Sequence, residues 1–88
     1  NLAIAYDRRR MYKEARQEYL KCLAINPNDA NVHYNLAILY DDKLNMNAKA
    51  IEHYQKYLEL RPIGEDAEKV KTWMLHAEQE DRLGRDTR

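Results

Sequence analysis

The sequence predicts an all-α fold built from a repeated helical hairpin, and three observations carry that prediction. First, the chain repeats itself. Residues 1–7, NLAIAYD, return as residues 35–41, NLAILYD, with six of seven positions identical at an offset of 34. Ala15, Tyr19, Lys21, Leu23 and Pro27 then return as Ala50, Tyr54, Lys56, Leu58 and Pro62 at an offset of 35, so the second copy holds one extra residue between Tyr40 and Ala50. Second, the 88 residues include only two Gly and two Pro, too few for the many tight turns of a sheet protein. Third, apolar residues recur near the 3.6-residue helical period along most of the chain.

The elements follow in order. Residues 1–9 complete a first helix. Tyr12, Ala15, Tyr19, Cys22, Leu23 and Ile25 give the apolar stripe of a second over 12–25. Asn26-Pro27-Asn28-Asp29 stops that helix and starts the next, because Pro cannot continue a helix and Asn or Asp caps a new one. Val32, Leu36, Ala37, Leu39 and Tyr40 mark a third helix over roughly 30–42. Ala50, Ile51, Tyr54, Tyr57, Leu58 and Leu60 mark a fourth over roughly 47–60; both Asn45 and Asn47 offer it a cap oxygen, and the sequence does not choose between them. Arg61-Pro62-Ile63-Gly64 is the next break.

A fifth helix is expected from Glu65 to about Arg82. Its first turn is acidic (Glu65, Asp66, Glu68), which suits the positive end of a helix dipole. Its apolar stripe, Ala67, Val70, Trp73, Met74 and Ala77, is narrow. The opposite face, Glu68, Lys69, Lys71, Thr72, Glu78, Gln79 and Asp81, is polar, and Gly84 is the expected stop. Such a helix reads as the polar-faced cap of a repeat array. The organisation is a first repeat over 1–29, a second over 30–64, and a capping helix and tail over 65–88. The start at Asn1, inside a helix and without Met, suggests a fragment of a longer chain.

Lys plus Arg is 15 and Asp plus Glu is 15. That balance argues against a dedicated nucleic-acid binder, which carries a basic excess. No apolar run approaches the ~18 residues of a membrane span, and no signal-peptide pattern opens the chain. The single cysteine, Cys22, cannot form an intramolecular disulfide. It falls on an apolar stripe as a small buried hydrophobe, with no base or oxyanion site to make it a nucleophile. His33, His53 and His76 lack the spacing of a metal site and read as solvent-facing or half-buried. Arg8-Arg9-Arg10 reads as the solvated end of a helix, where cations oppose the negative dipole end. The pattern implies no catalytic residue, metal or cofactor.

Taken as a set, Leu2-Ala3, Tyr6, Ala15, Tyr19, Cys22 and Pro27 in the first copy, and His33 or Tyr34, Leu36-Ala37, Tyr40, Ala50, Tyr54 and Pro62 in the second, resemble the tetratricopeptide repeat (TPR) over residues 1–62. This 34-residue helix–turn–helix unit stacks into a superhelix, an α-solenoid. Small Ala3, Ala15, Ala37 and Ala50 stand where the paired helices cross closely, and Tyr6, Tyr12, Tyr19, Tyr40 and Tyr54 fill the joints. Three departures stand out. Arg10 and Leu44 stand where the family often has Gly, implying a less common turn. The extra residue is expected to lengthen the second turn. Tyr57 replaces a small residue, which implies a wider joint with the cap.

The resemblance implies a non-catalytic protein-interaction module whose first helix in each repeat lines a concave groove. Carried onto this chain, the groove positions are Asn1, Ile4, Asp7 and Arg8 in the first copy and Asn31, Tyr34, Asn35, Ile38, Asp41 and Asp42 in the second. Asn35 matches a position that often holds a peptide backbone. One subclass clamps a C-terminal carboxylate with Lys, Asn and Arg. Here Ile4 replaces the first-repeat Asn, and Asp66 and Val70 stand where Lys and Arg would be, so chaperone-tail binding is not expected. The groove is instead apolar at Ile4, Tyr34 and Ile38, with an acidic edge at Asp41 and Asp42. The partner is a protein or peptide, not nucleic acid or a membrane. The alternative is an assembly segment that self-associates through its first repeat or stacks on further repeats.

Overall fold

The computed structural model describes residues 2–86, and among these the chain forms five α-helices. They are α1 (Leu2–Arg8), α2 (Tyr12–Ile25), α3 (Ala30–Ile38), α4 (Asn47–Leu60) and α5 (Glu65–Asp86), with a π-type turn at Leu39–Lys43 continuing α3. α1 pairs with α2 and α3 with α4 as hairpins; α5 packs on α4, and α2 joins the two hairpins through α3. The core runs through all of them. Ala3, Ala15, Ala37 and Ala50 are fully buried at the helix crossings, where a larger side chain would force the helices apart. Tyr19, Tyr40 and Tyr54 are buried between helices, whereas Tyr6 and Tyr12 are half-buried against the same core.

The break at Pro27 behaves as its residues dictate. The Asp29 carboxylate accepts a hydrogen bond from the Val32 amide at 3.3 Å and caps α3, and Asn26 Oδ1 accepts from the Asn28 amide at 3.3 Å. The fourth helix starts otherwise. Met46 occupies the cap position and makes no side-chain cap bond, so neither Asn45 nor Asn47 plays that part.

Asn45 is instead the turn residue of the second hairpin. Its φ is 54°, matching φ 61° at Arg10 in the first. Both turns therefore use the left-handed conformation that glycine supplies, built here with Arg and Asn. Leu44 has an ordinary φ of −102° and is not that residue. The extra residue of the second copy does not lengthen this turn. It widens the end of the preceding helix into the π-type turn, where the Leu44 amide donates to the Leu39 carbonyl at 3.0 Å. Beyond it the two hairpins return to register: Met11 N donates to Tyr6 O at 2.9 Å, and Met46 N to Tyr40 O at 2.8 Å.

Gly64 enters α5 at φ 128°, a backbone conformation open essentially to glycine alone. Gly84 does not stop that helix, which continues to Asp86; one interior glycine costs only about 1 kcal/mol. The stripe of α5 is seated as its spacing requires, with Ala67, Val70 and Ala77 buried and Trp73 and Met74 half-buried. Its outer face is less polar than expected, because Leu75 and Leu83 are exposed there. Tyr57 is buried against Tyr34, ring centroids 5.3 Å apart.

Candidate functional site

Where α3 ends, Ile38 and the two carboxylates Asp41 and Asp42 fall within about one helical turn. With Tyr54 of α4 and Trp73 of α5 they line a cavity of about 270 Å³. Three elements thus converge on it: α3 with its π-type turn, the buried ring of α4, and the cap. Tyr34 stands beside it, its ring 6.0 Å from that of Trp73, which in turn lies 6.4 Å from Tyr54.

The walls are mostly apolar and the charge is concentrated. The Tyr54 hydroxyl donates to Asp41 Oδ2 at 3.0 Å. Burial pushes the Asp41 carboxyl above the usual carboxylate range; the Tyr54 bond opposes that, and the nearby Glu80 and Asp42 carboxylates add to it. The Tyr54 hydroxyl is pushed well above its ordinary value, first by burial and then by the Asp41 charge. The first hairpin repeats the contact more loosely: the Tyr19 hydroxyl lies 3.5 Å from Asp7 Oδ2, and burial followed by the Asp7 charge pushes it up to about 12. Burial raises the Tyr34 hydroxyl, with Asp66 second among the causes.

Of the residues singled out for the groove, the cavity collects Ile38, Asp41 and Asp42. Tyr34 is half-buried between Tyr57 and Trp73, so its ring supports the cap, and Asn35 is half-buried beside it in sequence. Asn31 is exposed at the start of α3; Ile4 and Arg8 are exposed on α1, and half-buried Asp7 is engaged by Tyr19. Those four stand apart from the cavity lining. Asn1 lies outside the described residues, as do Thr87 and Arg88 of the expected tail. Val70, expected to replace a clamp cation, is fully buried in the seat of α5.

Two features escaped the sequence reading. Tyr54 and Trp73 belong to the cavity as well as to the core. The Tyr54–Asp41 pair was legible in the repeat itself, because it sits at the positions of Tyr19 and Asp7. The second feature is a histidine pair. His33 is buried, and its Nδ1 lies 2.9 Å from His53 Nδ1, while its Nε2 lies 2.7 Å from the Pro27 carbonyl oxygen. The carbonyl only accepts, so Nε2 of His33 carries a proton; in the neutral pair its Nδ1 accepts from His53. His53 also stacks on Tyr40, centroids 5.7 Å apart. Cys22 is half-buried instead of buried. Among the described residues no group of three or more His, Cys, Asp or Glu could hold a metal ion, and no helix is long and apolar enough to cross a membrane.

Two family models described as tetratricopeptide repeats match the sequence, one over residues 1–29 and the other over residues 18–52. A search of curated proteins finds no match. TPR repeats are in general protein–protein interaction modules, typically non-catalytic scaffolds. The paired hairpins, the small residues at their crossings and the two matches, which together span more than half of the sequence, agree: the chain belongs to the tetratricopeptide repeat family.

Proposed function

We propose that this chain is a non-catalytic interaction module that holds a peptide segment of a partner protein in the cavity bounded by α3, α4 and α5. It is organised as repeats over 1–29 and 30–64 with a capping element over 65–88. The observation that carries the reading is the convergence of Ile38, Asp41, Asp42, Tyr54 and Trp73 on one partly apolar cavity. Its volume of about 270 Å³ lies just below the ~300 Å³ at which small-molecule pockets begin, which suits side chains of an extended segment better than a cofactor. Ile4, Asp7, Arg8, Asn31, Tyr34 and Asn35 extend the proposed surface along the first helix of each repeat.

The test is a residue-resolved amide NMR map of the ¹⁵N-labelled chain titrated with peptides selected from a random display library. Shifts clustered at Ile38, Asp41 and Trp73, and lost on Ile38→Asp with helix content intact, support the groove. Shifts clustered elsewhere overturn it. A second reading, assembly through the first hairpin, is favoured by one observation: Leu2 is 54% exposed, whereas its counterpart Leu36 is fully buried.

A further inference from the structure

We propose that the cavity selects a segment carrying an arginine side chain, whose guanidinium meets the Asp41–Asp42 carboxylates while its methylene stem lies along Ile38 and Trp73. This rests on the reading of that cavity as the binding surface and names the chemistry of its occupant.

Charge complementarity commits the site to a cation. Asp41 and Asp42 both line the cavity, so two neighbouring carboxylates mark one end of it, and the Glu80 charge adds to the negative field felt by Asp41. The charges near that end are weakly compensated. Lys43 pairs with Asp42 at 3.3 Å through two exposed side chains, a contact of little energetic worth that an incoming cation can displace. His76 lies 3.4 Å from Glu80 and is likewise exposed. Asp41 uses Oδ2 for Tyr54 and so keeps acceptor capacity in its other oxygen. An acidic segment would meet repulsion here, and a wholly apolar one would cover carboxylates without pairing them.

The shape selects among cations. A side chain that is apolar along its length and charged at its tip matches a cavity with an apolar wall and a charged end. Arg fits better than Lys, because a planar guanidinium can pair with carboxylates through two parallel hydrogen bonds and can stack on an indole.

Peptides from random-library selection, synthesised and titrated while the emission of Trp73 is followed, test this directly, since Trp73 is the only tryptophan in the chain. The expected result is enrichment of arginine over the input library. Exchange of that arginine for neutral citrulline should weaken binding about tenfold or more, and the D41N/D42N double variant should erase the difference between the two peptides. Asparagine keeps an oxygen for the Tyr54 hydroxyl, so this variant preserves the internal bond. Equal affinity of the citrulline peptide overturns the cation assignment and leaves the groove reading standing. Lysine binding as tightly as arginine overturns the guanidinium assignment. Selected peptides that neither move Trp73 emission nor respond to Ile38→Asp overturn the groove reading, and this inference with it.

Discussion

His33 and His53, twenty positions apart in sequence, meet nitrogen to nitrogen at 2.9 Å and clasp α3 to α4. His33 also donates to the Pro27 carbonyl at 2.7 Å, so one buried imidazole joins the link between the hairpins to the core of the second. Tyr40 stacked on His53 closes the far side.

That arrangement makes stability depend on pH in a defined window. Burial, with His33 second, pushes His53 from its ordinary 6.5 down to about 4; Glu52 opposes the shift and Lys49 adds to it. Above pH 6.5 neither the folded nor the unfolded chain holds the extra proton, and the contribution is complete. Between 6.5 and about 4 the unfolded chain takes it up and the folded chain does not, so stability falls as pH falls and levels off below about 4. Because His53 is only part-buried, the expected loss is on the order of 1–2 kcal/mol. Urea unfolding of the wild type and His53→Gln from pH 7.5 to 4.5 measures it. The wild type should lose more than the variant over this range; parallel curves would remove the histidine pair as the cause.

The two hairpin turns give a second prediction. Arg10 at φ 61° bears the steric cost of a left-handed residue with a Cβ, roughly 1–2 kcal/mol, whereas Asn tolerates that region. Arg10→Gly should therefore stabilise by a net ~0.5–1 kcal/mol after the greater entropy of glycine in the unfolded chain. Asn45→Gly, at φ 54°, should be near neutral. Thermal melts of both variants decide it, and a destabilised Arg10→Gly would contradict the assignment of strain.

Those turns also mark how far sequence reasoning reached. The repeat showed that one residue is inserted, and where to within ten positions. The expectation that the turn absorbs it failed, because an extra residue can widen a helix end as well as lengthen a loop. The π-type hydrogen bond from the Leu44 amide to the Leu39 carbonyl decides for the helix. The stripe Ala67–Val70–Trp73–Ala77 was legible because burial follows the helical period. The His33–His53 pair was not, because it joins two helices at positions with no periodic link. Ile38, Asp41 and Asp42 were singled out through the resemblance to the TPR family, which places them on the first helix of the repeat; Trp73 became part of their cavity only once α5 was placed.

The seat of α5 predicts a contrast within one helix. Trp73 contacts Tyr34 and Tyr54, so Trp73→Ala should cost about 2–3 kcal/mol, below the ~3–5 kcal/mol of a fully buried aromatic truncation because the ring is half-exposed. Leu75 is 59% exposed on the outer face, and Leu75→Ala should cost less than about 0.5 kcal/mol. Deleting residues 66–88 should cost several kcal/mol, about the sum of two large core truncations, and lower solubility by uncovering Tyr34, Tyr54 and Tyr57. Chemical denaturation ranks the three, and a truncated chain as stable as the full one would make α5 an appendage.

The last prediction concerns the flank of the first hairpin. Leu36 and Leu39 are buried in the second hairpin, Leu36 fully, while their counterparts Leu2 and Ala5 are exposed, Leu2 at 54%. Leu20 is exposed as well, where the second hairpin carries the polar Gln55. The face that α3 turns inward is therefore open on α1. Exposed apolar surface of this kind tends to find another protein surface, and in a repeat array the fitting surface is the flank of another hairpin. The chain at high concentration should then self-associate through α1, and Leu2→Glu should abolish the association without loss of helix content. The matched substitution Leu36→Glu should unfold the chain or cost at least ~3 kcal/mol, since it buries an unpaired carboxylate. Sedimentation of the wild type and Leu2→Glu over a wide concentration range is the measurement. A wild type that stays monomeric throughout would refute association through this face, and association that survives Leu2→Glu would place the contact elsewhere, with the exposed Leu75 and Leu83 of α5 as the next surface to alter.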